Sequence, residues 1–226
     1  TDVIAKRVWL NDIYSKIFFS DLIVRNKVRN EEALGLLVRR LAENVKQPVS
    51  YTRLANLISS IGIKISKATV IEFIRYLKES CLIFPIENYA AKFAERNSNM
   101  KHYFIDNGLL SIFLLDGNTS LLENIVAIHL YKRYGAQLYF YNQNIEVDFI
   151  IPEAKTAIQV SYSLMDETTC RREVEGLIKL NRVFPMDNMC IITRDEERII
   201  THESGVSIHV IPVWKWLLVS KSDFSL

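Results

Sequence analysis

Ile145-Glu146-Val147-Asp148-Phe149-Ile150-Ile151 and, after a short turn, Ala157-Ile158-Gln159-Val160-Ser161 read as two short β-strands in tandem. Each is apolar, and each carries an isolated polar residue. Burying an unpaired carboxylate is strongly unfavourable. Asp148 must therefore sit at an exposed strand end, be paired, or take part in chemistry.

Around this pair the pattern is that of an α/β unit. A helix is expected from about Ser120 to Tyr134, with Leu121, Leu122, Ile125, Val126, Ile128, His129 and Leu130 as a broad apolar band and Gly135 at its end. Leu138–Tyr141 reads as a strand ahead of the pair. Arg171–Leu180 reads as a helix, Met189–Thr193 and Ile208–Pro212 as strands, and Val213–Val219 as a closing helix, with the tail from Val219 to Leu226 fraying. Helix, three strands, helix, strand predicts an α/β domain with a mixed sheet over residues 108–226.

Residues 1–107 read differently. Asn11 and Asp12 offer caps before Ile13, Ile17, Phe18 and Leu22, and Asn30 caps a helix whose face is Leu34, Leu37, Val38 and Leu41. Gln47-Pro48-Val49 is a break. Ser50 then caps Tyr51–Ser60, Gly62 follows as a C′ glycine, and Ser66 caps a helix from Lys67 to about Glu79. Leu82–Ile86 and His102–Ile105, joined through a polar turn at Arg96–Asn99, complete the order of a winged helix-turn-helix. In the last helix Val70, Phe73, Ile74 and Leu77 face inward, while Lys67, Ile71, Arg75 and Lys78 share one flank. Lys64 and Arg53 extend this stripe, and these five basic residues are the candidate DNA contacts.

Charge is distributed to match. The chain has 226 residues and a net charge of +2, but residues 1–106 carry +6 and residues 107–226 carry −4. Only the front half therefore favours an acidic partner. Apolar runs fall short of a membrane span, with Leu109–Leu115 broken by Ser111. Cys81, Cys170 and Cys190 form no metal-binding spacing and read as free thiols of a cytoplasmic protein; His102, His129, His202 and His209 read as surface or structural histidines. Thr1, in place of Met, reads as the start of an excised piece. There is no GK dipeptide and so no P-loop, which excludes ATP binding by that mechanism. Ser161 and Ser163 lack the glycine-flanked elbow of a serine nucleophile.

Leu122-Glu123-Asn124, Glu146-Val147-Asp148-Phe149 and Ile158-Gln159-Val160 resemble the motif segments of a PD-(D/E)xK nuclease-type fold. More narrowly, Asn11-Asp12-Ile13-Tyr14, Tyr103-Phe104-Ile105-Asp106-Asn107-Gly108-Leu109 and Gln159-Val160-Ser161-Tyr162-Ser163-Leu164 resemble recurrent segments of a family of bacterial and archaeal AAA-type ATPases. In that family an N-terminal P-loop ATPase is followed by a winged helix and a nuclease-like domain. The resemblance covers essentially the whole chain. It implies that ATP belongs to a missing N-terminal domain, which would be one partner, with DNA or a protein target as another.

The resemblance also implies a site. Glu123, Asp148 and Gln159 would be the catalytic trio, with Glu123 and Asp148 as ligands of Mg²⁺ or Mn²⁺, a hard ion that takes carboxylates, waters and phosphate oxygens. Such an ion activates water and neutralises phosphoryl charge. Gln159 stands where a second carboxylate is expected and lowers the negative charge by one unit. Ser161 stands where the lysine is expected and cannot supply a cation; Lys155, Arg171 and Arg172 are the candidate replacements. The expected site is thus a degenerate one in a target-binding or regulatory module. An active Mg²⁺- or Mn²⁺-dependent DNase and a purely protein-docking module are the rivals.

Overall fold

A computed structural model of the chain describes residues 2–96 and 98–218. The described chain divides into two compact units. One runs to Pro85 and takes in a later stretch ending at Gly117; the other holds Ile86–Arg96 and what is described from Asn118 onward. Residues 108–117 belong with the first of these units and 86–96 with the second.

In the first unit, α1 (Val3–Lys16) continues directly into a π-helical segment, Ile17–Val24. Its cap is Asp2, whose carboxylate accepts the Ile4 N–H at 2.9 Å. Asn11 and Asp12 are inside the helix rather than at its start. Asp2 satisfies the first amides two and a half turns upstream, and Asn11 donates back to the Arg7 carbonyl at 2.8 Å. The helix α2 (Glu31–Glu43) is followed by a two-residue strand, β1 (Val49–Ser50), inside the stretch read as a break. Two residues carry no period to read.

Then come α3 (Tyr51–Ser59) and α4 (Lys67–Glu79). Asn30, Ser50 and Ser66 cap α2, α3 and α4 as expected, each side chain accepting a backbone N–H. Gly62, at φ +93°, turns the chain between α3 and α4 through a region that L side chains rarely adopt. Leu34, Leu37, Val70 and Leu77 are fully buried, so the inner faces of α2 and α4 are those the spacing predicts; α3 buries Leu54 and Ile58.

β2 (Ile83–Asn88) and β3 (Asn99–Phe104) follow, with a short helix, α5 (Phe93–Arg96), between them. β3 pairs antiparallel with β1, Val49 opposite Met100. After it, α6 (Asn107–Ser111) is capped by Asp106, which accepts the Leu109 N–H at 2.9 Å.

The second unit contains α7 (Asn118–Tyr134), β4 (Tyr139–Asn142), β5 (Glu146–Ile151), β6 (Thr156–Val160), α8 (Glu167–Val183), β7 (Asn188–Thr193), β8 (Arg198–Thr201), β9 (Ser207–Pro212) and α9 (Val213–Leu218). The expected fraying from Val219 lies outside the described residues. β4, β5 and β6 run antiparallel, and β6, β7 and β9 run parallel. β8 closes antiparallel on β9, and β2 lies parallel to β4. The chain is thus a mixed α/β protein, and the strands of the second unit run in the order β2-β4-β5-β6-β7-β9-β8, the end of β2 being the part that belongs to it.

β8 has no counterpart in the sequence reading. It is four residues long, follows Asp195-Glu196-Glu197, and leaves three of its four residues exposed, so no apolar alternation marks it. On one face of this sheet α8 buries Val174, Leu177, Ile178 and Leu180 against Ile150, Ala157, Met189, Ile191, Ile208 and Val210. α7 packs on β6, and α9 on β7 and β9. His129 and Trp216 join α7 to α9 edge to face, their ring centroids 4.8 Å apart.

Candidate functional site

The ladder between β5 and β6 pairs Ile151 with Thr156, Ile150 with Ala157 and Phe149 with Ile158, and stops there. One step further the two polar residues take over from the backbone. The Asp148 N–H donates to Gln159 Oε1 at 2.9 Å, and the Val160 N–H donates to Asp148 Oδ2 at 3.0 Å. Gln159 Nε2 in turn donates to the Glu146 carbonyl at 3.0 Å. The strands fork at this point, and the side chains of Asp148 and Gln159 bridge the fork. Gln159 is 4% exposed, so its two bonds satisfy a carboxamide that water does not reach freely.

The helix α8 closes over the bridge at a glycine. A Cβ on Gly176 would lie 3.1 Å from both Gln159 Nε2 and the Glu146 carbonyl oxygen, tighter than ordinary contact. α8 also brings Glu173, which is 7% exposed. Burial, the largest effect, raises its carboxyl above the usual range. The Arg172 hydrogen bond opposes that, and the negative charges of Asp148 and Glu146 add to it. Arg172 donates to Glu173 Oε1 through Nη2 at 2.5 Å and Nε at 3.1 Å. This bond, followed by the charge of Glu173, raises the guanidinium above its ordinary value, with smaller help from Asp148 and Glu146.

Among the three candidate replacements for the missing lysine, Arg172 thus comes under the influence of the acids. Lys155 sits in the β5–β6 turn, 3.4 Å from Asp187. Arg171 is exposed on α8. Glu173 was not singled out from the sequence. The signal was available: it shares the i, i+4, i+7 stripe with Leu177 and Leu180, so it is an acid on the inward face of α8.

Ser161 is 8% exposed, and its backbone N–H donates to the Ile192 carbonyl at 3.0 Å. Its hydroxyl donates to the Ser163 carbonyl at 2.9 Å. The position expected for a lysine therefore serves the loop after β6. Glu196 fastens that loop further, accepting from the Leu164 N–H at 2.6 Å and the Ser163 hydroxyl at 2.8 Å. Burial would raise the Glu196 carboxyl; these bonds and Arg198 outweigh it and hold the carboxyl below its usual range. Glu123 is buried on α7 beside the buried Asn124.

Two of the three expected donors for Mg²⁺ or Mn²⁺, Asp148 and Gln159, are engaged with backbone at the fork. Among the described residues no group of three or more His, Cys, Asp or Glu side chains is disposed to hold a metal ion. Gln159 directs its oxygen at the β5 backbone and Asp148 directs one oxygen at β6.

In the first unit Arg53, Lys64, Lys67, Arg75 and Lys78 are all exposed, the first on α3, the second in the link, the others on α4. Arg75 is engaged locally: it reaches Glu79 at 3.2 Å, and its guanidinium lies 4.9 Å from the Tyr76 ring centroid. Ile71, 43% exposed, interrupts the stripe. No helix among the described residues is long and apolar enough to cross a membrane.

Residues 1–124 match the family described as Domain of unknown function (DUF8612). That is more than half of the chain, and the chain belongs to this family. Over 94% of its length it is 30% identical to the uncharacterized protein MJ1544 of Methanocaldococcus jannaschii, covering 50% of that protein. Over 77% of its length it is 27% identical to an uncharacterized protein of Haemophilus influenzae, covering 44% of it. The chain spans about half the length of the curated relatives it matches. No solved structure matches it.

Proposed function

We propose that the chain is a non-motor module of an AAA-type ATPase, a winged helix followed by a nuclease-like domain that has lost its metal site and now binds or regulates a target. The observation that carries the loss of the site is the use of the Gln159 carboxamide, which holds the β5 and β6 backbones at the fork instead of presenting its oxygen to an ion. The order helix, three antiparallel strands, helix, parallel strand supports the nuclease-like reading. So does the serine, bonded within its own loop, two residues after Gln159. The helix, strand, helix, helix, strand, strand order of the first unit, with its exposed basic flank, supports the winged-helix reading and DNA as the target.

A second reading, an active Mg²⁺- or Mn²⁺-dependent DNase, has Arg172 in its favour: its guanidinium feels the charges of Asp148 and Glu146. Two measurements test the proposal. Plasmid incubated with Mn²⁺ and the chain should stay intact; cleavage that Asp148→Ala abolishes would establish the second reading and end the first. Duplex binding should weaken with salt on a log–log slope near −0.9 for each phosphate engaged, and Lys67→Ala should reduce that slope by about one unit. Binding that ignores salt, or no binding, would turn the target from DNA to protein.

A further inference from the structure

We infer that the cavity between α1, α2 and the segment after α6 holds the free carboxyl end of a peptide whose last residue is large and apolar. The cavity measures about 670 Å³, within the range of small-ligand sites, and all its walls belong to the first unit. Asn11 and Tyr14 come from α1, Arg39 and Glu43 from α2, and the run 112–116 from the segment after α6. Asn11 and Tyr14 are three residues apart and so share one side of their helix. Neither caps it, since the cap is Asp2.

The charges of the wall select a monoanion. Glu43 is taken by Arg40 at 2.7 Å, and Asp116 is not free either. Arg39 is exposed and has neither a hydrogen bond nor an ion pair among the described residues. Its charge reaches the Tyr14 hydroxyl. Burial raises that phenol above its ordinary value against the pull of Arg39, so it keeps its proton and can donate. A guanidinium with a phenol O–H beside it suits a carboxylate, which accepts charge-assisted bonds from both. Two acids on the same wall disfavour the second charge of a phosphate monoester.

The remaining groups select the body of the ligand. Phe113 meets the Tyr14 ring edge to face, with centroids 5.0 Å apart, and Ile112 and Leu114 flank it. An apolar side chain laid there leaves water. Asn11 donates its amide to the Arg7 carbonyl at 2.8 Å, and its Oδ1 accepts nothing among the described residues. That oxygen is an acceptor for an amide N–H. A carboxylate, an apolar side chain and an amide N–H meet around one carbon in the last residue of a peptide. The cavity involves neither the fork nor the basic flank of α4, so its occupancy is independent of the metal and DNA readings.

The test is isothermal titration calorimetry of the chain with N-acetyl-alanyl-phenylalanine as the probe. The wild type should bind it saturably. Three changes should each weaken binding by about tenfold, a difference of about 1.4 kcal/mol: amidating the peptide's carboxyl, replacing the peptide by phenylpropionate, which has no amide N–H, and Arg39→Gln. Tyr14→Phe keeps the ring on Phe113, removes one donor and should weaken binding by about threefold or more. Asn11→Ala should bind the peptide and phenylpropionate alike. Circular dichroism spectra of the variants should match the wild type. A wild type without saturable binding, an amide that binds as tightly as the acid, or an Arg39→Gln chain that binds as tightly as the wild type would overturn the inference. So would a wild type that binds phenylpropionate as tightly as the peptide, which would make the cavity a site for small organic acids.

Discussion

Gln159→Glu distinguishes a strand bridge from a metal ligand more sharply than any truncation. The substitution keeps size and shape and restores the carboxylate that a nuclease site would want. At the fork it does harm. The oxygen that still accepts from the Asp148 N–H is unaffected, but the second atom, now an oxygen, faces the Glu146 carbonyl at 3.0 Å with no proton between them. The new charge would be 4% exposed and close to Asp148. Its cheapest escape is to stay protonated, because the neutral acid can donate to the Glu146 carbonyl as the amide does.

Holding a carboxyl of ordinary pKa near 4.3 neutral at pH 7.5 costs about 4 kcal/mol at 1.36 kcal/mol per unit, which caps the loss. The lower bound is about 2 kcal/mol, the cost of leaving buried acceptors opposed. For a chain of this size the melting temperature should fall by roughly 5–15 °C. The sign with pH follows. The folded variant binds a proton that the unfolded chain releases near pH 4.3, so the penalty is absent below that pH and grows as pH rises. Calorimetric melting of variant and wild type side by side at pH 7.5 and pH 4.5 measures it. Equal stability at pH 7.5, or a variant stabilised by Mg²⁺, would refute the bridge.

Gly176→Ala should destabilise by about 1–3 kcal/mol in the same melts through overpacking, although alanine elsewhere in a helix interior usually helps; the Cβ would press on Gln159 and the Glu146 carbonyl at 3.1 Å. His102 is buried, and burial first, then the charge of Lys78, lowers its imidazole to about 4 from 6.5. The unfolded chain therefore takes up this proton first on acidification. Roughly 3 kcal/mol of stability should be lost between pH 7 and pH 4, and His102→Leu should flatten that part of the profile. Ser66→Ala removes the acceptor for the Thr69 N–H at the start of α4 and should cost about 1 kcal/mol, read by urea denaturation.

The helices α2, α3 and α4 were legible because each begins at a side chain that caps it, Asn30, Ser50 and Ser66. β1 and β8 were not, since two residues have no period and an exposed edge strand needs no apolar face. The misplaced start of α1 shows how a local preference is overruled: Asn11 is a good cap in isolation, but Asp2 acts first. At the fork the sequence showed two polar residues in apolar strands and left their use open. Which use they have depends on where the β5–β6 ladder stops, a matter of pairing between strands that neither strand encodes alone. Arg172 was one of three candidate cations and Glu173 is an acid on the inward face of α8, but that both come under the acids of β5 is decided only when α8 docks on the sheet.

The most direct measurement is a Mn²⁺ titration of the isotope-labelled chain, followed by paramagnetic broadening of its backbone amide resonances. The bridged fork predicts that the amides of Asp148, Gln159 and Val160 broaden no sooner than exposed acidic surface does, and that no step saturates at one equivalent. Selective loss of those three signals by one equivalent of Mn²⁺, reversed by Asp148→Ala, would contradict it and return the site to metal chemistry.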